Sequence, residues 1–215
     1  MPLGYIQVKD HPLSIALRDN YKGILNDYLQ LSSKYLGNKP NNITGVVLDQ
    51  KQSNGKMLYG GTIKSVFTRA VPESCSKSEH EAIWGTTDVT KMIAEDKFLK
   101  KQALTPVLEE IIKPYGNYIG SVGFNLMYPG AKLSMHYGMV SRYVRFHLGL
   151  ICDPEAKFHV ENYEPRAWEV GKVWAFDDGD AYHGTTHNGT TGRLILILDI
   201  DRAAFDNLEE ETSWC

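Results

Sequence analysis

Six side chains able to hold a metal or an anion fall within one stretch of this 215-residue chain: Asn125, His136, Arg145, His147, His183 and Arg193. His136 and His183 lie on separate strand-like segments. Two strands paired within a small barrel can bring such imidazoles together, a geometry suited to iron, zinc or copper. A mononuclear non-haem iron site ordinarily adds a carboxylate, in most such enzymes two residues after the first histidine. That position here is Gly138, which has no ligating group. An isolated histidine is more often packed or exposed than metal-bound, and His11 and His80, in polar loop-like settings, keep that bland reading.

Arg193 strengthens the case for a site. It opens the apolar run LILILDI, so its head group is expected inside, where a lone cation is costly. It calls for a carboxylate: a structural one such as Asp177 or Asp178, or the distal carboxylate of a bound 2-oxo acid. Residue chemistry alone leaves both open. Arg145 and His147 alternate along YVRFHLGL and share one face of a strand, with Val144, Phe146 and Leu148 on the other. That polar face reads as a pocket wall or as a solvated surface. Asn125 lies in a comparable strand, before the Pro129-Gly130 turn.

The elements that position these residues follow from periodicity and punctuation. Residues 1–11 read as a short leading strand or arm. Pro12 marks a helix start, and Ile15, Leu17, Tyr21, Ile24, Leu25, Tyr28 and Leu29 recur at helical spacing until Leu36-Gly37. Segment 43–72 holds strand-like pieces split by the Asn54-Gly55 turn signal, and 72–81 is polar. Thr87-Asp88 can cap a further helical turn, and LTPVLEEIIKPYG reads as a helix ended by Pro114 and Gly116. From Tyr118 to Ile200 nearly every segment is a strand candidate. Helices first and strands last predict a mainly β, α+β fold in which N-terminal helices brace a sandwich or barrel.

Composition bounds the rest. With 42 % apolar and 23 % charged residues the chain is ordinarily globular, and its length suits a single domain: support and flanking strands over 1–117, a binding core over 118–201. A net charge of -3 gives no electrostatic reason to expect nucleic acid. No basic amphipathic face points to a membrane, and the longest apolar run, 194–198, is too short to span one. The N-terminal residues lack a signal-peptide pattern. Cys75, Cys152 and Cys215 are odd in number with no CxxC, so a disulfide framework or structural zinc site is not expected and a cytoplasmic setting is.

The run from Asn125 to Asp201 resembles the aspartyl/asparaginyl β-hydroxylase family of iron(II)- and 2-oxoglutarate-dependent oxygenases. The matching pieces are YPGAKLSMHYG, RFHLGL beginning nine residues after His136, WEVGKVWAFDD from Trp168, and His183 followed by Arg193 at the end of GTTHNGTTGR. The resemblance implies a double-stranded β-helix (cupin or jelly-roll) core with Fe(II), 2-oxoglutarate and O2 as cofactors. It implies iron held by His136 and His183 alone, with glycine in the position other oxygenases fill with Asp or Glu. It implies Arg193 on the distal carboxylate of 2-oxoglutarate, with Arg145, His147 and Asn125 as further cosubstrate contacts. Asn125 stands where the family's animal members have Ser. The turn FDDGDAYH is one residue longer than the family's, which makes His187 the alternative ligand; the ten-residue spacing from His183 to Arg193 selects His183. The expected reaction is hydroxylation of an unactivated C–H bond of an amino acid, peptide or other small molecule. Two rivals stand beside it: halogenation, with chloride in the space left at Gly138, and a non-catalytic cupin-like binding module whose histidines are packed core residues.

Overall fold

Residues 4–35, 59–60, 63–70, 101–138 and 141–205 are described by the structure, a computed structural model. They form two facing sheets. The larger runs in the order β1 (Tyr5–Ile6), β9 (Val173–Asp177), β6 (Tyr143–Ile151), β11 (Arg193–Asp201), β4 (Ile119–Met127), β3 (Ile63–Ala70). The smaller runs β2 (Tyr59–Gly60), β5 (Lys132–His136), β10 (His183–His187), β7 (Ala156–Val160), β8 (Arg166–Ala167). Neighbouring strands are antiparallel throughout. From β4 onward the chain changes sheet at nearly every step, only β7 and β8 staying together, and this winding is a double-stranded β-helix. The N-terminal third does more than brace it, because β1 and β3 extend the larger sheet and β2 the smaller.

Strand parity divides the interior into two cores. Successive side chains on a strand point to opposite faces. On β11, Leu194, Leu196, Leu198 and Ile200 pack outward with Val144, Phe146 and Leu148 of β6 against the helices. Ile195 and Ile197 point the other way, into the space between the sheets with Phe158, Trp168, Trp174 and Phe176. Arg193 and Asp199 share that parity, as do Arg145 and His147 on β6. The Arg-x-His face is therefore an interior wall and not a solvated surface; Arg145 is 7 % and His147 4 % exposed.

Among the described residues, α1 (Pro12–Asp19), α2 (Tyr21–Tyr35) and α3 (Pro106–Ile112) cover the outer face of the larger sheet. The single helix expected from Pro12 is broken at Asn20, whose φ of -110° leaves the helical region and whose side-chain amide donates to the Ala16 carbonyl. A competing local hydrogen bond of this kind is how Asn ends helices. His11 caps α1, its Nδ1 accepting from the Leu13 N–H. Before Pro114, α3 gives way to a 3-10 turn over Lys113–Tyr118. The expected Asn54-Gly55 turn, the polar stretch 72–81 and the helical turn after Thr87 lie outside the described residues, as does His80.

The β5–β10 pairing carries the irregularity that matters most. His183 lies directly opposite His136, but Thr185 opposes Leu133, so β5 holds one extra residue. This β-bulge re-aims side chains beside it. It needs Gly184: a Cβ there would lie 2.8 Å from the Leu133 carbonyl oxygen and 3.0 Å from the Met135 nitrogen, inside normal contact.

Leu196, fully buried on the helix-facing side of β11, anchors the outer core. Leu196→Ala should cost about 2–5 kcal/mol in chemical denaturation with an unchanged denaturant slope. A loss below about 1 kcal/mol would contradict the outward parity assigned to it.

Candidate active site

The two histidine rings meet across the β5–β10 pair with centroids 4.3 Å apart. Each is oriented from behind. The His136 Nδ1 lies 2.8 Å from the Ser134 carbonyl and the His183 Nδ1 2.8 Å from the Ala181 carbonyl. A carbonyl only accepts, so both Nδ1 atoms carry the proton and both Nε2 atoms keep a lone pair. This is the tautomer and backing that metal-ligating histidines use. Burial, reinforced by the neighbouring His136, pushes the His183 pKa well below the usual imidazole range, so its ring is neutral at neutral pH. A metal bound through the two Nε2 atoms fits these rings. Among the described residues no group of three His, Cys, Asp or Glu side chains is arranged to hold one.

His187 is engaged elsewhere. Its Nε2 donates to the Thr191 carbonyl at 2.6 Å and its Nδ1 accepts from the Gly189 N–H at 3.2 Å, so both nitrogens serve the β10–β11 turn. Asp153 fastens the same turn. Its Oδ2 accepts from the Thr190 and Thr191 N–H groups and the Thr191 hydroxyl, and its Oδ1 from the Glu155 N–H. These bonds hold its carboxyl well below the usual carboxylate range. The turn they fix sets where Arg193 enters β11.

Arg193 is 3 % exposed, and neither Asp177 nor Asp178 pairs with it. Asp177 pairs with Arg202 and Asp178 with Arg145. The Arg193 Nη2 reaches only the Met127 sulfur at 3.2 Å, and Nε and Nη1 have no hydrogen-bond partner among the described residues. Its Cζ sits 4.4 Å from the centroid of the Trp168 ring. Desolvation pushes its pKa down to about 9, so it remains charged at neutral pH. A buried guanidinium with two unpartnered donor nitrogens, Nε and Nη1, fits a carboxylate supplied by a ligand.

Arg145, by contrast, is fully engaged. Its Nε and Nη2 grip Asp199 at 2.7 and 2.9 Å, and its Nη1 lies 2.9 Å from Asp178 Oδ1. Ser121 donates to the same Asp199 carboxylate at 2.6 Å. Any contact from Arg145 to a ligand is thus shared with these acids. His147 is kept neutral chiefly by burial, then by Arg145, Arg193 and His183, and its Nδ1 accepts from the Trp168 indole at 3.3 Å. Asn125, half-buried opposite Ile195, points between the sheets with Ser121 and Met127.

Asp199, Asp153 and Trp168 were not singled out by sequence reasoning as parts of a site, and Asp178 was named only as a possible partner for Arg193. The Asp178 carboxylate lies 3.3 Å from the His183 Nε2 and also explains Gly138. The Gly138 N–H donates to the Asp178 carbonyl at 2.8 Å. A Cβ at 138 would overlap the Asp178 carboxylate and approach its carbonyl oxygen to 2.6 Å. The glycine is a steric requirement, and the direction in which its side chain would project is filled.

Two outcomes follow. Gly138→Ala should displace Asp178 and weaken divalent-metal binding about 10- to 100-fold while circular dichroism is unchanged; Gly138→Asp should fail to improve on it, and a tighter-binding Gly138→Asp protein would refute the steric account. Arg193→Met should raise the unfolding free energy by roughly 1–3 kcal/mol, because it removes an unpaired buried charge. A clearly less stable variant would mean that the guanidinium is satisfied within the chain.

The family model described as aspartyl/asparaginyl beta-hydroxylase matches residues 19–203. Mouse aspartyl/asparaginyl beta-hydroxylase is 35 % identical over 95 residues, covering 44 % of this chain and 13 % of that protein. Mouse aspartate beta-hydroxylase domain-containing protein 1 is 34 % identical over 87 residues, covering 39 % of this chain and 24 % of that protein. The matched stretch is thus a small part of each relative's length. Among solved structures, a cupin-like protein from Thermotoga maritima is 8 % identical with a TM-score of 0.38, covering 76 % of this chain and 84 % of that one. With the family model spanning most of its length, the chain belongs to the aspartyl/asparaginyl β-hydroxylase family.

Proposed function

We propose that this chain is an Fe(II)- and 2-oxoglutarate-dependent dioxygenase that hydroxylates an unactivated C–H bond of an amino acid, a short peptide or another small molecule. The observation that carries the reading is Arg193: a buried guanidinium with Nε and Nη1 unpartnered among the described residues, inside the same barrel as the paired histidines. A dicarboxylic cosubstrate neutralises that charge, and the paired histidines, backed at Nδ1, favour an enzyme over a binding module whose histidines are packing residues. Bound iron and 2-oxoglutarate would supply the oxidising chemistry, with succinate and carbon dioxide as coproducts.

The chain's own residues orient and shield. His136 and His183 would hold the metal through Nε2, with Ser134 and Ala181 fixing the rings. Arg193 would bind the distal carboxylate of 2-oxoglutarate, with His147, Arg145 and Asn125 as the walls beside it. Phe158 and Phe176 pack within 5.6 and 4.8 Å of the His183 ring centroid and keep bulk water from it. Asp178, filling the space beside Gly138, favours hydroxylation over halogenation, since chloride has no vacated side-chain volume there. The relatives' names put aspartyl and asparaginyl side chains first among substrates to try. No helix among the described residues is long and apolar enough to cross a membrane. A cytoplasmic setting is part of the same proposal, supported by Cys152, a free thiol.

Anaerobic addition of iron(II) and 2-oxoglutarate should produce a weak visible charge-transfer band that His136→Ala abolishes. Arg193→Ala should weaken 2-oxoglutarate binding about a hundredfold and leave iron affinity unchanged. A succinate-release screen over amino acids and short peptides tests the reaction class and begins on the substrate, and mass spectrometry with chloride present separates a hydroxylated from a chlorinated product. A protein that binds iron but gives neither band nor succinate would refute the assignment.

A further inference from the structure

Trp168 follows β8, is 2 % exposed and packs among Phe158 and Trp174, which by itself marks an aromatic filler of the inner core. Two contacts set it apart. Its Nε1 donates to the His147 Nδ1 at 3.3 Å, and its ring face lies beneath the Arg193 guanidinium at 4.4 Å. Trp174 provides the contrast within the same cluster: its Nε1 is buried with no hydrogen-bond partner among the described residues. This core therefore tolerates an indole whose N–H is unused.

We propose that Trp168 is a positioning residue for the cosubstrate site, its indole N–H holding His147 as the Nε2–H tautomer while its ring face carries and orients the Arg193 guanidinium. This rests on the dioxygenase reading above. The first half is a matter of proton count. An indole N–H only donates, so the Nδ1 it meets must offer a lone pair, and the proton of the neutral imidazole is left on Nε2. His147 then presents a donor. The tautomer is opposite to that of His136 and His183, whose Nδ1 atoms face carbonyls. Rings of one residue type are thus sorted by what lies behind them: a carbonyl makes a metal ligand, an indole N–H makes a hydrogen-bond donor.

The second half concerns a guanidinium with little else to hold it. Only Nη2 has a partner, the soft Met127 sulfur. Hydrogen bonds within the described chain do not fix the plane of the group. Stacking on an aromatic face does so by cation–π attraction and leaves the N–H edges available. One side chain thereby prepares both a neutral and a cationic donor for a dianionic ligand without consuming the donors that the ligand needs.

The test uses the whole chain loaded with Mn(II), which lets 2-oxoglutarate bind without turnover, and calorimetry on three variants. Trp168→Phe keeps a ring face and loses the N–H; it should weaken 2-oxoglutarate binding about tenfold. Trp168→Leu loses the face as well and should weaken it about thirtyfold or more. Trp174→Phe, the control for removing an indole from this core, should stay within twofold. Mn(II) affinity should stay within twofold in all three. In parallel, 15N NMR of histidine-labelled, metal-free protein should show His147 as the Nε2–H tautomer, with an Nδ1–H population emerging in Trp168→Phe. Wild-type protein with His147 protonated at Nδ1 overturns the proposal whether or not the ligand binds. So does Trp168→Phe protein that binds 2-oxoglutarate like wild type. If wild-type protein binds Mn(II) but no 2-oxoglutarate, the dioxygenase reading falls and the cosubstrate role of Trp168 with it. The NMR result then still decides the link from Trp168 to His147.

Discussion

A charged guanidinium buried without a matching carboxylate from the described chain is the constraint on which the rest of this molecule depends. Removing such a group from water carries a penalty of several kcal/mol, on the order of a domain's whole net stability. Arg193 is held in that position from three sides. The turn before it is fastened by Asp153 and His187, its strand is locked between β4 and β6, and its plane lies on Trp168. Arg145, buried almost as deeply, shows the alternative: its fork is filled by Asp199 and Asp178. The two arginines differ little in burial. They differ in whether the described residues supply the acid.

The stability that tolerates this penalty comes from the second core. Leu194, Leu196, Leu198 and Ile200 on one face of β11, with Val144, Phe146 and Leu148 of β6, pack against the helices and have no polar work to do. The inner face can then hold Arg193, His147, Arg145 and Asp199 among aromatic rings. A half-buried sheet with one solvated face would have to build its site and its core from the same residues. Covering the outer face with α1, α2 and α3 separates the two tasks.

The paired-histidine side of the site rests on close approach. The bulge in β5 brings His136 opposite His183, and Gly184 lets the backbone of β5 come near enough. Gly138 admits Asp178 to the edge of the pair. The glycine two residues after the first histidine is therefore not simply a missing ligand. It is the space that a neighbouring carboxylate already occupies, and that carboxylate is in turn held by Arg145.

Much of this was legible without coordinates, because it depends on local pattern and order. Alternation along 118–201 indicated short strands, Pro12 marked the first helix, and the run LILILDI required a buried strand whose leading arginine faces inward. The order of His136, Arg145, His147, His183 and Arg193 resembled one family, and the family model bears that out. What remained open were choices between partners distant in sequence. Nothing local distinguishes Asp177 from Asp178, yet one pairs with Arg202 and the other with Arg145 beside His183. Nothing in Asp153-Pro154 announces a carboxylate that reaches across to Thr190 and Thr191, and nothing in Trp168 its bond to His147. The sequence by itself determined which side chains share a strand face, since parity and periodicity are properties of neighbouring residues, but left open whether the Arg145–His147 face is buried. Only the tertiary structure decided which inward-facing charges are neutralised by the described residues and which is not, because that depends on distances across sheets.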